Sequence, residues 1–143
     1  MSDLAEQESR GMHHEYVGTE HVLLGLISQR DSLARAIFRK LELEPSTVRE
    51  RVMSLLRPGP STDQTTELVL TRRASVAIKE AVKTARAHAH AKVTTGHILV
   101  GLIREHDGVA AQILMNLGIT IESARALLFE VMAERAAGGS AEL

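Results

Sequence analysis

Residues 16–56 read YVGTEHVLLGLISQRDSLARAIFRKLELEPSTVRERVMSLL, and residues 92–132 read KVTTGHILVGLIREHDGVAAQILMNLGITIESARALLFEVM. The two stretches align without a gap at an offset of 76 residues, and 12 of their positions are identical. Such ungapped agreement indicates a duplicated structural unit. Because two copies are too few for a solenoid, we expect a pseudo-twofold pair of repeats that share one core.

Apolar residues recur in both copies at the spacing of a helix. Leu23, Leu26 and Ile27 form one such stripe, and Leu99 and Leu102 belong to its counterpart. The low aromatic content, 2%, also suits helices packed on helices better than a sheet. We predict a single all-α domain over residues 1–143, built from two pseudo-twofold-related four-helix repeats. Its parts are repeat one over 1–57, a linker over 58–69, repeat two over 70–136 and a frayed tail over 137–143.

Polar residues stand where the predicted helices begin. Thr19 and Thr95 precede the first apolar stripes, and Asp31 and Asp107 precede the next ones. Side chains of this kind accept hydrogen bonds from the first free N–H groups of a helix, so we predict them as N-caps. Thr71 is the predicted N-cap of a long helix that extends to about residue 91.

The composition excludes several classes of protein. The net charge is −1, and no field of one sign would recruit nucleic acid or an acidic membrane. Because the chain has no cysteine, disulfides and thiolate chemistry are excluded. The polar, acidic start is not a signal peptide, and no apolar run approaches the ~20 residues needed to span a bilayer. We therefore predict a cytoplasmic protein without nucleic-acid or membrane partners.

Catalytic and metal-binding motifs are missing from the sequence. Six of the seven histidines fall into two groups, one in each predicted repeat: His13, His14 and His21, and His88, His90 and His97. Neither group has the i, i+4 spacing that places two zinc ligands on one helical face, so we predict structural histidines. No G-x-S-x-G elbow and no phosphate-cradling G-x-x-x-x-G-K-[ST] loop occurs. We predict no enzyme, no catalytic residue, no metal and no cofactor.

Three segments resemble one known family. Residues 18–26, GTEHVLLGL, are similar to the GTEHhLLGL motif of the Clp N-terminal (Clp repeat) domain, and residues 94–102, TTGHILVGL, are a degraded copy of it. Residues 107–118, DGVAAQILMNLG, are similar to the family's EGVAARVLNNLG segment. The resemblance covers roughly residues 4–134. It implies the two-repeat helical fold that precedes the ATPase modules of ClpC- and ClpA-type AAA+ unfoldases.

The resemblance also implies what such a domain binds. In this family it docks substrates and adaptor proteins, and in some ClpC-type members each repeat binds phosphorylated arginine. The motif glutamate engages the guanidinium, and a threonine near the start of the repeat's first helix assists at the phosphate. Glu20 matches the glutamate of copy one, whose threonine has no counterpart here. Thr71 matches the threonine of copy two, where Gly96 replaces the glutamate. Each predicted pocket thus keeps one half of the pair, and a guanidinium without its carboxylate loses a charge-assisted contact.

These observations predict a non-catalytic protein-binding module of the Clp system. Its candidate binding residues are Glu20, Thr71, Arg72 and Arg73. The predicted partners are a Clp-type ATPase, adaptors or substrate proteins, with phosphoarginine as a candidate ligand. Two alternatives stay open: the chain could be a free-standing regulator or decoy that sequesters Clp partners, peptides or small molecules, and Glu20 could simply stabilise the first turn of its helix through the helix dipole.

Overall fold

The computed structural model describes residues 2–60 and 67–138, which form eight helices and two strands of two residues each. The elements, in chain order, are α1 (Ser2–Gly11), β1 (Tyr16–Val17), α2 (Thr19–Ser28), α3 (Leu33–Lys40), α4 (Pro45–Leu55), β2 (Val69–Leu70), α5 (Arg72–Ala87), α6 (Thr95–Glu105), α7 (Val109–Asn116) and α8 (Ile121–Gly138). Helices α1–α4 form repeat one and α5–α8 form repeat two. The predicted all-α pair of four-helix repeats is confirmed.

The two repeats share one core centred on the motif helices. Helix α1 packs along α2 and α5 packs along α6, while α2 and α6 also contact each other and the third helices of both repeats. Every residue of α2 from Thr19 to Ile27 is buried, as is every residue of α6 from Thr95 to Ile103. The largest fully buried apolar side chains come from both repeats: Phe38, Leu23, Leu24, Leu26, Leu33, Ile37, Leu99, Leu102, Leu114 and Leu128.

The N-cap predictions were wrong at the motif helices because the threonine hydroxyls serve the other repeat. Gly18 and Thr94 are the N-caps of α2 and α6. The Thr95 hydroxyl accepts a hydrogen bond from the Ala34 N–H at 3.1 Å, at the start of α3. The equivalent Thr19 hydroxyl accepts from the Ala110 N–H at 3.3 Å, at the start of α7. Each repeat therefore caps a helix of the other, which fixes the pseudo-twofold arrangement.

The next helices also begin one residue later than predicted. Ser32 and Gly108, not Asp31 and Asp107, are the N-caps of α3 and α7. The Ser32 hydroxyl accepts from the Arg35 N–H at 3.1 Å. Gly108 has no side chain to accept a hydrogen bond, so α7 depends on the hydroxyl supplied by the other repeat.

The remaining boundaries differ from the prediction in three places. Val69 and Leu70, at the edge of the predicted linker, pair in parallel with Tyr16 and Val17. Helix α5 ends at Ala87, because Ala89 has a left-handed backbone, φ 54°, and the His90 N–H turns back to the Ala85 carbonyl at 2.8 Å. Helix α8 continues to residue 138, two residues into the predicted tail. Residues 61–66 of the linker and 139–143 of the tail lie outside the described residues.

Candidate functional site

The parallel pairing of β1 and β2 brings Glu20 and Thr71 to the same end of the domain. Parallel strands send their chains in one direction, so the helices that follow, α2 and α5, start side by side. The Thr71 N–H donates to the Val17 carbonyl at 2.9 Å, three residues before Glu20. We call the cluster of Glu20, Thr71, Arg72 and Arg73 the α2–α5 corner.

The carboxylate of Glu20 folds back over the start of its own helix. Glu20 is only 9% exposed. Its Oε1 lies 2.1 Å from the point where residue 18 would carry a Cβ atom, so only a glycine at position 18 leaves room for this conformation. Partial burial and the nearby Glu20 carboxylate both raise the pKa of the Tyr16 phenol above its usual range. Glu20 thus places a carboxylate beside the first turn of α2, where the free N–H groups favour a negative charge.

Repeat two has filled the equivalent space. Position 96 is a glycine, and a Cβ there would lie 2.4 Å from Cδ1 of the fully buried Leu128. The N-cap is Thr94 instead of a glycine, and its Oγ1 lies 3.5 Å from the same point. The two differences compensate, because a side chain at position 94 occupies space that a glutamate at position 96 would need. Repeat two therefore has no carboxylate counterpart to Glu20.

The other three candidate residues lie at the start of α5. The Thr71 hydroxyl accepts from the Ala74 N–H at 3.1 Å, which confirms the predicted N-cap. Arg72 and Arg73 are exposed. An Nη1 atom of Arg73 lies 4.0 Å from the carboxylate of Glu105, which is buried at the end of α6 and accepts from the Gly108 N–H at 2.6 Å. The corner therefore combines two guanidinium groups, a hydroxyl and the Glu20 carboxylate, and the buried Glu105 carboxylate lies beside Arg73.

This arrangement differs from the expected pair of separate half-pockets. Thr71 was expected in the pocket of copy two, opposite Gly96. Helix α5 instead runs antiparallel to α6, so Arg73 lies near Glu105, and Gly96 lies at the far end of α6, about 13 Å away along the helix axis. The two retained halves, Glu20 and Thr71, are thus neighbours at one corner. The strand pairing that joins them rests on four residues, which is too weak a signal for sequence analysis.

Histidines of repeat one form a chain of hydrogen bonds. The sequence predicted a structural role for His21 and His97, but not this chain. The Gly18 N–H donates to His21 Nδ1 at 2.9 Å, so a neutral His21 carries its proton on Nε2. His21 Nε2 lies 2.8 Å from His14 Nδ1, and His14 Nε2 lies 2.8 Å from the Arg57 carbonyl oxygen. Donor and acceptor roles therefore run in one direction, from Gly18 through both rings to Arg57.

Repeat two contains the same histidine pair. The Thr94 N–H donates to His97 Nδ1 at 2.9 Å, and His97 Nε2 lies 2.8 Å from His90 Nδ1. Burial, followed by the proximity of His14, lowers the pKa of His21 to about 4. Burial, followed by His90 and His88, lowers the pKa of His97 to about 4. Both rings are therefore neutral at pH 7 and act as hydrogen-bonding struts at the start of the motif helices.

The described ranges, 2–60 and 67–138, contain neither a candidate metal centre nor a candidate membrane-spanning helix. No group of three or more histidine, aspartate or glutamate side chains there could hold a metal ion. Likewise, no helix within the same ranges is long and apolar enough to cross a membrane.

Comparison with known proteins leads to the same family as the sequence motifs. The family model described as the Clp repeat (R) N-terminal domain matches residues 3–116 and 69–140. Over 138 residues the chain is 37% identical to the Bacillus subtilis (strain 168) protein named negative regulator of genetic competence ClpC/MecB, covering 96% of this chain and 17% of that protein. The chain thus spans only about a sixth of the length of this relative.

Solved structures share the fold at lower sequence identity. The N-domain of ClpV from Vibrio cholerae matches with a TM-score of 0.77 and 19% identity, over 99% of this chain and 82% of that one. A complex of the ClpV N-domain with a VipB peptide matches with a TM-score of 0.70 and 19% identity, over 99% and 85% of the two chains. From its duplicated motif, its fold and these matches, the chain belongs to the Clp repeat N-terminal domain family.

Proposed function

We propose that the chain is a non-catalytic, cytoplasmic protein-binding module that docks substrates or adaptor proteins for a Clp-type ATPase. The observation that carries this proposal is the α2–α5 corner, where polar groups distant in sequence lie beside the parallel strand pair at one end of a largely helical domain. Two kinds of relative support it. The ClpC/MecB protein contains a region that matches nearly this whole chain, and the ClpV N-domain binds a VipB peptide.

The chemistry of the α2–α5 corner suits a ligand that carries charges of both signs. Arg72 and Arg73 offer planar donors that match a phosphate or carboxylate. The Glu20 carboxylate offers an acceptor to a guanidinium, in surroundings less solvated than bulk water. Phosphoarginine carries a guanidinium and a phosphoryl group on one side chain, so it is the candidate ligand of this corner.

Calorimetric titration tests that ligand. We expect a peptide with one phosphoarginine to bind with a micromolar Kd and the same peptide with arginine to bind at least tenfold more weakly. Glu20→Gln should weaken the phosphoarginine peptide about tenfold or more, because a hydrogen bond between charged groups is lost. Glu44→Gln, on the exposed start of α4, is the matched control and should leave the Kd unchanged. Equal binding of both peptides, or indifference to Glu20→Gln, would reject phosphoarginine as the ligand.

Affinity capture from cells tests the docking function itself. We expect the tagged chain to enrich a Clp-type ATPase, or adaptors and substrates of one. The double substitution Arg72→Glu and Arg73→Glu should abolish the enrichment. The control, Lys79→Glu with Lys83→Glu, makes the same change of charge farther along α5 and should not. Capture of substrates or adaptors without any ATPase would favour the regulator or decoy alternative. Absence of every Clp component would contradict the proposal.

A further inference from the structure

A cleft of about 460 Å³ lies in repeat two, far from the α2–α5 corner. One side is the turn between α5 and α6, formed by residues 89–92 and Thr94, and the other is the face of α8 that carries Phe129, Met132, Ala133 and Ala136. We call it the His90 cleft. It adjoins the C-terminal end of α5, whose 16 residues separate it from Arg72 by about 24 Å.

Repeat one shows what occupies the equivalent place there. At the offset of 76 residues, Ala133 corresponds to Arg57 and Ala136 to Pro60. Helix α4 ends at Leu55, so Arg57–Gly59 leaves the helix and lies against the turn after α1. The Arg57 carbonyl lies 2.8 Å from His14 Nε2, and the Gly59 N–H donates to the Met12 carbonyl at 2.7 Å. We call this segment, Arg57–Gly59, the strap.

The sequence of the strap explains why it fits. Arg57 precedes a proline, which disfavours helical backbone at that residue, and Pro58 has no N–H that would need a partner. Gly59 makes the close approach possible, because a Cβ at that position would lie 2.2 Å from the His13 carbonyl oxygen. The groove beside His14 therefore accepts an extended chain that offers a carbonyl and, two residues later, the N–H of a glycine.

Repeat two keeps the groove without a strap. Ala89 has φ 54°, as His13 has φ 59°, and both turns close with the same pair of backbone hydrogen bonds. Because His97 Nε2 donates to His90 Nδ1, the proton of a neutral His90 is on Nε2, as in His14. However, α8 runs on as a helix to residue 138, and within the described part of the chain no carbonyl takes the place of the Arg57 carbonyl.

We propose that the His90 cleft binds an extended peptide segment of a partner protein in the way that repeat one holds its own strap. A carbonyl of the peptide accepts from His90 Nε2, and a glycine N–H two residues later donates to the carbonyl of His88, the counterpart of Met12. Lys92 lines the cleft where repeat one has Tyr16, so an acidic residue in place of Arg57 is favoured. The inference rests on the proposed protein-binding function and adds a second binding site, with an extended conformation for the bound peptide.

Nuclear magnetic resonance titration of the 143-residue chain tests this inference. The probes are a peptide with the sequence of residues 55–60, its Arg57→Glu version, and the Arg57→Glu version that also carries Gly59→Ala. We expect the Arg57→Glu peptide to shift the amide signals of residues 89–94 and 129–136, with a submillimolar Kd. The unmodified peptide should bind about threefold more weakly because of Lys92. The Gly59→Ala peptide should cause no shift there, because its methyl group would collide with the Ala89 carbonyl.

Three variants test which side chains of the His90 cleft take part in peptide binding. Ala133→Phe should abolish the shifts by filling the cleft, while Ala137→Phe, an exposed position on the same helix outside the cleft, should not. His90→Asn should weaken binding about five- to tenfold, because its amide oxygen can still accept from His97 but nothing replaces the Nε2–H donor.

The outcomes separate the inference from the proposed function. No shift at the cleft with 2 mM peptide, or shifts that persist in Ala133→Phe, would overturn the inference. Shifts confined to residues 12–18 would also overturn it. The same holds for a change in the signals of the cleft when residues 139–143 are removed before any peptide is added, because the chain itself would then be the occupant. If the chain still captures Clp partners through Arg72 and Arg73, the proposed function stands in each of these cases.

Discussion

The two repeats share their backbone turns and differ in what fills the space between the helices. His13 and Ala89 occupy the same left-handed turn after the first helix, and the His14–His21 and His90–His97 pairs both have a nitrogen–nitrogen distance of 2.8 Å. Each repeat also supplies one threonine hydroxyl to a helix of the other. The shared features all determine where helices begin or end, and these positions can vary least when two repeats pack together.

The differences occur where one repeat has filled a space that the other leaves free. Repeat one has the Glu20 carboxylate, where repeat two has Thr94 and Leu128. Repeat one covers its histidine groove with the strap, whereas repeat two leaves the His90 cleft uncovered by the described residues. The duplication therefore offers two distinct surfaces on one scaffold, and variants at equivalent positions are the sharpest way to separate scaffold from surface.

The largest difference between equivalent positions is expected at the motif glycines. A Cβ at Gly101 would lie 2.2 Å from the Ala77 carbonyl oxygen, which belongs to a helix backbone and cannot rotate away. A Cβ at Gly25 would lie 3.0 Å from the Ala5 nitrogen, so a small shift accommodates it. Overpacking costs about 1–3 kcal/mol or more, and alanine returns about 1 kcal/mol of helix propensity. We expect Gly101→Ala to lower the free energy of unfolding by about 2 kcal/mol or more, and Gly25→Ala by less than about 1 kcal/mol.

Urea denaturation at pH 7 measures both variants. Gly118→Ala is a useful reference, because its φ of +88° penalises alanine through backbone strain, and apart from its chain neighbours no heavy atom of residues 2–60 or 67–138 lies within 4 Å of the added Cβ. If Gly25→Ala and Gly101→Ala cost the same, the closer approach of α5 to α6 is not what requires glycine at this position.

The elements that depend on local pattern could be predicted from the sequence. The repeat offset, the helix content, the Thr71 cap and a structural role for His21 and His97 all follow from periodicity and short-range capping. The errors fall where the partner is distant in sequence. Thr19 and Thr95 look like caps of their own helices, but each hydroxyl serves a helix of the other repeat, 91 and 61 residues away.

The candidate residues could be proposed from the sequence one by one, but their arrangement could not. Glu20 and Thr71 were both chosen from the family motif, and the resemblance assigned them to different pockets. The pairing of β1 with β2 makes them neighbours, and a two-residue strand leaves no alternation to recognise. The carbonyl that His14 meets is 43 residues away, so the sequence does not reveal which histidine has a strap.

A second, smaller effect concerns pH, and here the two repeats should behave alike. An unfolded histidine has a pKa of about 6.5, whereas His21 and His97 have pKa values lowered to about 4 in the folded chain. The unfolded chain therefore binds more protons between these values, and stability is complete above about pH 6.5 and lost as the pH falls toward 4. Each histidine should account for about 1–2 kcal/mol of destabilisation between pH 7 and pH 5.

Chemical denaturation at several pH values checks this expectation with His21→Gln and His97→Gln. Glutamine at this position of a capping box can still accept from the N-cap N–H, but it does not titrate. Each variant should flatten the pH dependence by a similar amount, and the double variant by the sum. His106→Gln, an exposed histidine, is the control. A slope that neither variant changes would mean that the carboxylates, not these rings, govern the response.

The smallest expected effect is a difference in sign between two arginines at equivalent positions. Arg49 donates to both carboxylate oxygens of Glu8, each at 2.9 Å, whereas for its counterpart Arg125 the position equivalent to Glu8 is Thr84, which has no carboxylate. The Nε of Arg125 is buried without a hydrogen-bond partner among residues 2–60 and 67–138, and one Nη lies 3.4 Å from His88 Nε2. Removing a partly exposed bidentate pair costs about 0.5–1 kcal/mol, whereas removing an unsatisfied buried donor relieves a desolvation penalty. We therefore expect Arg49→Met to lower the free energy of unfolding by about 0.5–1 kcal/mol, and Arg125→Met to leave it unchanged or raise it by a few tenths.

Denaturation in low and in high salt separates the two cases, because only the Arg49 effect depends on an ion pair and shrinks as salt is added. Equal losses in both variants would mean that the aliphatic stems, which methionine replaces only in part, carry the contribution of both arginines.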